Sequence, residues 1–147
     1  MDLITGIRKK LQRPYPFKQD LIEIAKMSVL FGLFVTFFLY AFRPFGIDSG
    51  PYSLFLICLS YGGVTTFVVF GLNSNLNYLF PDYFCEEKWT VGREILWITI
   101  NISLIGLANA VLTSYLANIS LSLKLILIFQ LYTVLLAFSA YSIYNNV

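Results

Sequence analysis

The feature that most constrains this chain is its series of long stretches without any charged residue. Uncharged runs of sixteen, thirty-three and twenty-nine residues lie between the charged pairs Lys26 and Arg43, Asp48 and Asp82, and Glu94 and Lys124, and no charge follows Lys124. A transmembrane helix needs about 20 mostly apolar residues. The pattern therefore predicts an all-α polytopic membrane protein, a four-transmembrane-helix bundle with spans at about 24–45, 52–73, 94–116 and 123–144.

Composition supports lipid as the surrounding solvent. Of the 147 residues, 58% are hydrophobic and only 12% are charged, whereas soluble domains carry about 25% charged residues. We expect a single membrane domain over 1–147, with a short cytoplasmic amphipathic segment at 1–22 and a cytoplasmic loop at 74–93. A cleaved signal peptide is the weaker alternative for the first span, because sixteen apolar residues are long for its core and no small-residue cleavage site precedes "RPFG".

Local signals suggest where the spans begin and end. Pro44 and Gly46 are expected to stop the first span, and the Asn-rich "NSNLN" to end the second. Thr90 is the predicted N-cap of the third, with Glu94 in its first turn. The short "ANISLS" connection makes the third and fourth spans antiparallel neighbours.

Orientation follows from the basic residues. Eight of the ten lie on one predicted side, and only Arg43 and Lys124 lie on the other; the eight are Arg8, Lys9, Lys10, Arg13, Lys18, Lys26, Lys88 and Arg93. The positive-inside rule then predicts a multi-pass protein of the cell (inner) membrane with both chain termini in the cytoplasm. Interfacial aromatic residues fit that orientation, with Trp89, Trp97 and Tyr144 at the inner face and Tyr52 and Tyr115 at the outer face.

The polar loop between the second and third spans is the main candidate for a functional surface. Its candidate relay or docking residues are Glu86, Glu87, Lys88, Trp89, Arg93 and Glu94. A solvated loop is the simplest interpretation, since its spacing matches no EF-hand and opposite charges are adjacent. The chain has no histidine, and its two cysteines are far apart, so we expect free thiols, no metal or cofactor, no catalytic residues and no enzyme activity.

The polar residues expected inside the spans are neutral, which argues against a proton-coupled transporter or an intramembrane enzyme. Asn101 and Asn109, eight residues apart, are predicted to bond between helices; a small-ligand pocket is the alternative. Gly106, Ala110 and Ser114 form a small-residue stripe that permits close helix approach. Facing grooves are expected from Gly62 with Thr66 and from Thr133 with Ala137. These contacts could lie within one chain or in a homodimer.

The N-terminal segment is predicted to lie on the membrane surface. Leu3, Ile7 and Leu11 recur every four residues among basic neighbours, which suits a short helix on an anionic inner leaflet. Contact with nucleic acid is the less favoured alternative for these basic residues, and we expect none from this chain.

Four stretches in order along the chain carry a family resemblance: "RPYPF" at 13–17, "FRPFG" at 42–46, "EEKWTVGREI" at 86–95 and "NISLIGLANA" at 101–110. Together they resemble the N-terminal four-span membrane domain of bacterial LytTR-type transcriptional regulators. In that family a cytoplasmic LytTR DNA-binding domain follows the last span, and these 147 residues contain none. Arg43 stands where the family pattern leads us to expect glutamine.

The resemblance implies a membrane-embedded sensor or anchor module of a transcription regulator, engaged in signal transduction or tethering. A small multi-pass transporter and an accessory membrane protein that binds a cytoplasmic or membrane partner are the alternatives. A transporter predicts substrate flux in liposomes, whereas an accessory protein predicts a partner retained in detergent.

Overall fold

The computed structural model describes residues 2–16, 20–43, 52–80 and 84–145. These residues form five α-helices, α1 (Asp2–Leu11), α2 (Leu21–Phe42), α3 (Leu54–Leu79), α4 (Val91–Leu116) and α5 (Leu123–Asn145), with a short 3-10 turn at Glu86–Lys88. Within the described ranges the one extended pairing is an isolated bridge between Pro14 and Thr90. The all-α prediction is thereby confirmed.

Three of the helices are long and apolar enough to cross a membrane. They are α2, α3 over Leu54–Asn75, and α4, with mean hydropathies of 1.9, 1.9 and 2.0, while Leu123–Phe138 of α5 is a shorter apolar helix. A helix of 22 residues is about 33 Å long, which matches a hydrocarbon core of about 30 Å. Large apolar side chains such as Phe37 and Phe67 are 69% and 79% exposed. Such extensive apolar exposure is the property of a protein whose solvent is lipid.

Helix α2 is shifted toward the N-terminus relative to its predicted range. Asp20 caps its start by accepting a hydrogen bond from the Ile22 amide at 3.1 Å. Its end is closed by Arg43, which adopts a left-handed conformation with φ 43° and donates its amide to the Leu39 carbonyl. The predicted stop signals Pro44 and Gly46 lie outside the described residues, and the helix ends one residue before Arg43.

Helix α3 continues to Leu79, beyond the predicted end of the second span, while the part of it that is apolar enough to cross a membrane is Leu54–Asn75. The Asn-rich stretch remains helical because its amides bond to carbonyls one turn back instead of breaking the helix. Asn73 donates to the Val69 carbonyl and Asn75 to the Gly71 carbonyl, each at 2.7 Å. The predicted 74–93 loop is correspondingly shorter, since α3 extends to Leu79 and α4 begins at Val91.

Thr90 is confirmed as the N-cap of α4. Its side chain accepts from the Arg93 amide, and Glu94 lies in the first turn as expected. At the other end, six residues connect α4 to α5, with Asn118 at φ 51°. Helices α4 and α5 pack against each other, as the short connection predicted.

Helices α2 and α3 approach so closely that two glycines are required at their crossing. A Cβ added to Gly32 would lie 2.6 Å from the Gly62 carbonyl oxygen and would collide with the Thr66 hydroxyl. A Cβ added to Gly62 would collide in the same way with Thr36 and the Gly32 carbonyl. Gly62 and Thr66 therefore pack against α2, and the expectation that they face the small-residue stripe of α4 was wrong.

A small core continues from this crossing toward α4 and α5. Val35, Leu39, Ile57, Cys58 and Tyr61 form its buried cluster. The Tyr61 hydroxyl lies 2.7 Å from the Thr113 hydroxyl of α4, and its ring stacks on Phe129 of α5 at 6.2 Å. Tyr61 thus links three helices through one side chain.

Candidate functional site

The N-terminal segment is joined to the α3–α4 loop by backbone hydrogen bonds. The Tyr15 amide donates to the Trp89 carbonyl at 3.1 Å, and the Val91 amide donates to the Arg13 carbonyl at 3.0 Å. Pro14, which has no amide hydrogen, occupies the position between them opposite Thr90. Val91 is the first residue of α4, so the bond from its amide satisfies one of the donors that a helix start leaves unpaired.

Trp89 is the centre of this contact. It is 1% exposed and is among the largest fully buried side chains. Its ring centroid lies 5.1 Å from that of Phe84, and its indole N–H donates to Glu94 Oε2 at 2.8 Å. A buried indole needs such an acceptor, so the Glu94 carboxylate holds Trp89 against the first turn of α4.

A second tryptophan extends the contact into the helices. The Trp97 ring meets Phe84 edge-on, with centroids 5.1 Å apart. Its indole donates to Asn73 Oδ1 at 2.9 Å, and Asn73 Nδ2 in turn donates to Asn101 Oδ1 at 3.1 Å. Asn101 Nδ2 donates to the Trp97 carbonyl at 3.0 Å. This network ties α3 to α4 by directional bonds.

Helix α1 rests against the same place. A Cβ added to Gly92 would lie 3.2 Å from the Leu11 carbonyl oxygen and 3.5 Å from its Cβ. The end of α1 is therefore in contact with the first turn of α4. We call the assembly of Arg13–Tyr15, Phe84, Trp89–Glu94 and the Trp97–Asn73–Asn101 network the junction.

The predicted relay or docking residues divide into two groups in the structure. Glu86, Glu87 and Lys88 are exposed, as a solvated loop would have them, and Arg93 and Glu94 are partly buried. Trp89 is neither an interfacial anchor nor a surface for a partner, because it is buried inside the protein against Phe84. Its sequence position between charged residues gave no indication of that burial.

The predicted helix-packing residues of α4 differ in what they contact, and Gly106 is the one that the structure shows against α5. Gly106, Asn109 and Ala110 are buried, and a Cβ on Gly106 would lie 3.0 Å from the side-chain amide of Gln130 in α5. A second copy could use this face only by displacing α5. Ser114 is partly buried, and its hydroxyl donates to the Ile119 carbonyl at 2.6 Å, closing the end of α4.

The two asparagines of the stripe differ. Asn101 bonds across to α3 as described above, whereas the side-chain oxygen of buried Asn109 has no hydrogen-bond partner among the described residues. Of the other predicted groove, the Thr133 hydroxyl bonds to the Phe129 carbonyl of its own helix at 2.8 Å.

In the described part of the chain no three acidic or cysteine side chains are gathered so that they could hold a metal ion. Cys58 and Cys85 are not joined in a disulfide, and the first is buried in α3 while the second is partly buried before the 3-10 turn. The junction connects the N-terminal segment, the loop and two helices.

Several junction residues were missed by reasoning from sequence. Asn73 was assigned to the end of a span and Phe84 received no role. Pro14 and Tyr15 entered only through the family resemblance, and Arg13 entered through it and as one of the basic residues that set the orientation. The sequence separation of Asn73 from Trp97 and Asn101 does not predict that they are in contact, because the contact depends on how α3 and α4 pack. No protein-family model, curated protein or solved structure matches the chain.

Proposed function

We propose that the protein is a four-span helical membrane module that tethers and relays a signal to the cytoplasm, as the membrane domain of a LytTR-type regulator would. The observation that carries the proposal is the junction. It connects the N-terminal segment to the loop residues 84–90 and, through Asn73, to both flanking helices. A shift of α3 against α4 in the bilayer would therefore be transmitted to residues outside it.

The proposed topology has additional support. Residues 13–15 and 89–91 bond to each other across the α2–α3 hairpin, which fits two crossings that start and end on the same side. Eight basic residues lie on that side, the arrangement that cytoplasmic segments favour. Helix α5 has 23 residues, about 34 Å in length, so it can serve as the fourth span and return the C-terminus to the cytoplasm.

A relay needs two states that the signal distinguishes. We propose that the junction is this two-state element, and that its aromatic and amide contacts exchange partners while the α2–α3 crossing stays fixed. We propose that the state with the Trp97–Asn73 bond formed and the state with it broken differ in the position of α1 and the loop.

The test is a reporter DNA-binding domain fused after Val147, with transcription as readout. Asn73→Leu, which removes the amide that bridges α3 and α4, is expected to change output at least severalfold at unchanged membrane levels. Glu86→Gln, an exposed residue of the 3-10 turn, is the matched control and should behave as wild type. Equal output from wild type, Asn73→Leu and Trp89→Ala would remove the junction from any relay.

A further inference from the structure

A groove opens between α3 and α4 beside the junction. It has a volume of about 440 Å³, within the range of about 300–1000 Å³ typical of small-molecule sites. Its α4 wall consists of Arg93, Leu96, Trp97 and Ile100, which share one helix face because they are spaced three and four residues apart. Leu96 is 52% exposed, so the groove is open to the surroundings of the helices.

The opposite wall and one end are also apolar. Gly71, Leu72, Asn75 and Leu79 of α3 form the facing wall, and Phe80 and Phe84 close the end next to the loop. Along α4, the distance from Arg93 to Ile100 is seven residues, or about 10 Å. The groove thus begins at the end of a candidate span and runs inward along apolar side chains.

Among the described residues, Arg93 is the one charged residue that lines the groove, and it lies at the loop end. The basic last turn of α1 is nearby, since Leu11 contacts Gly92 and Arg8, Lys9 and Lys10 precede it on an exposed helix. Charge therefore lies at the aqueous end and apolar surface at the membrane end, the same polarity as a phospholipid in a bilayer leaflet.

We propose that the groove binds one anionic phospholipid, with its phosphate at Arg93 and an acyl chain along Trp97, Ile100 and Gly71. Guanidinium groups bind phosphate with two parallel hydrogen bonds, and basic pockets between transmembrane helices take anionic headgroups. The narrow apolar trough fits an acyl chain better than a protein helix. The groove shares Phe84, Arg93 and Trp97 with the junction. Lipid binding requires only that α3 and α4 be embedded in lipid, so it can be measured whether or not the junction relays a signal.

The groove can be filled without strain. A Cβ added to Gly71 meets no atom within 4 Å, and the same holds for Gly63 of the same helix, which does not line the groove. Gly71→Leu therefore occupies the acyl-chain position, and Gly63→Leu is its matched control. For the headgroup, Arg93→Gln removes the charge, Arg93→Lys keeps it, and Lys88→Gln removes an exposed charge from the neighbouring turn.

The experiment is quenching of tryptophan fluorescence in the full chain, reconstituted into phosphatidylcholine vesicles that contain brominated phosphatidylglycerol or, at equal mole fraction, brominated phosphatidylcholine. Trp97 lines the groove, whereas Trp89 is shielded. We expect wild type to prefer the anionic lipid roughly fivefold, the effect of about one basic contact. Arg93→Gln should lose that preference and Arg93→Lys retain it. Gly71→Leu should weaken quenching by both lipids, with Gly63→Leu and Lys88→Gln like wild type.

Three results would overturn the proposal. Equal losses in Arg93→Gln and Lys88→Gln would mean diffuse surface charge without a defined site. Displacement of the brominated phosphatidylglycerol by millimolar inorganic phosphate would mean an anion site without an acyl chain. Unchanged quenching in Gly71→Leu would mean that a lipid does not occupy the groove.

Discussion

The α2–α3 crossing and the junction hold helices together by opposite means. At the crossing, Gly32 and Gly62 bring two backbones into contact, so that no side chain can be added at either position. At the junction, large aromatic rings fill the space, and the bonds between Trp97, Asn73 and Asn101 fix their orientation. The crossing requires that positions 32 and 62 carry no side chain, whereas the junction requires particular aromatic and amide side chains.

The difference follows from the surroundings of each contact. Within a bilayer, helix association gains little from burying apolar surface, so close packing of small residues is an efficient way to hold two helices. Near the loop, water competes for polar groups and apolar burial becomes favourable, so a buried tryptophan and its carboxylate acceptor can act together. The crossing is suited to rigidity, and the junction to adjustable connection.

The largest expected effect is at the crossing. Gly62→Leu forces a side chain into the Gly32 backbone, and overpacking that the backbone cannot relieve should cost about 3 kcal/mol or more of unfolding free energy. Gly63→Leu is the control, since that position is open. Denaturation in mixed micelles measures both variants. Equal stability of the two would mean that α2 and α3 are not in backbone contact.

The next effect is at the centre of the junction. Trp89→Ala removes a buried ring and leaves a cavity beside Phe84, so we expect a loss of about 3 kcal/mol, the low end for such truncations. Protease accessibility of the N-terminal segment should rise as well, because the buried Trp89 ring no longer holds in place the backbone with which residues 13–15 pair. Tyr115→Ala, which truncates a ring that is 82% exposed, should change neither quantity.

A smaller effect is expected from the amide network. Asn73→Leu keeps the branched shape of the side chain and loses the bonds to Trp97 and Asn101. This should lower the unfolding free energy by about 1 kcal/mol, since single polar contacts between membrane helices average about 0.6 kcal/mol. Asn75→Leu is matched to it, because the Asn75 amide bonds only within α3 and to its neighbour Ser74. A double-mutant cycle with Trp97→Phe should show coupling; strict additivity would contradict the bond.

The smallest effect concerns one charge. Glu94→Gln retains an acceptor for the Trp89 indole but loses the charge that strengthens the bond. This should lower the free energy of unfolding by less than about 1 kcal/mol. Glu87→Gln neutralises an exposed charge in the same loop and is the control. The fluorescence emission of Trp89 should shift only in the Glu94 variant, and a shift of equal size in both would show a general electrostatic effect.

The helical plan was accessible from the sequence because charge placement in a membrane protein is strongly constrained. The uncharged runs located the helices, and Thr90 was recognisable as a cap because its hydroxyl precedes an apolar run. The end of α3 was misplaced because asparagines that normally favour turns here bond to carbonyls of their own helix. Local propensity does not show whether an asparagine side chain stabilises a turn or bonds to a carbonyl of its own helix.

The pairing of helices and the junction could not be derived in the same way. Gly62 was recognised as a packing residue, but its partner was wrong, because a small-residue motif shows that a helix can approach and does not show which helix does. Trp89 was interpreted as an interfacial anchor, since tryptophan at a span end usually is one. Its burial depends on Phe84 and on residues 13–15, which are distant in sequence.

The central claim is that the N-terminal segment pairs with the loop at Pro14 and Thr90. Pro14 and Thr90 face each other as an antiparallel pair without mutual hydrogen bonds. The Cα atoms of such a pair are typically about 4.5 Å apart, a distance that a disulfide can bridge. Oxidative cross-linking in intact membranes of Pro14→Cys with Thr90→Cys, in a Cys58→Ala, Cys85→Ser background, tests it directly. The account predicts rapid disulfide formation within one chain, and little for Pro14→Cys with Lys88→Cys. Equal cross-linking of both pairs, or of neither, would contradict it.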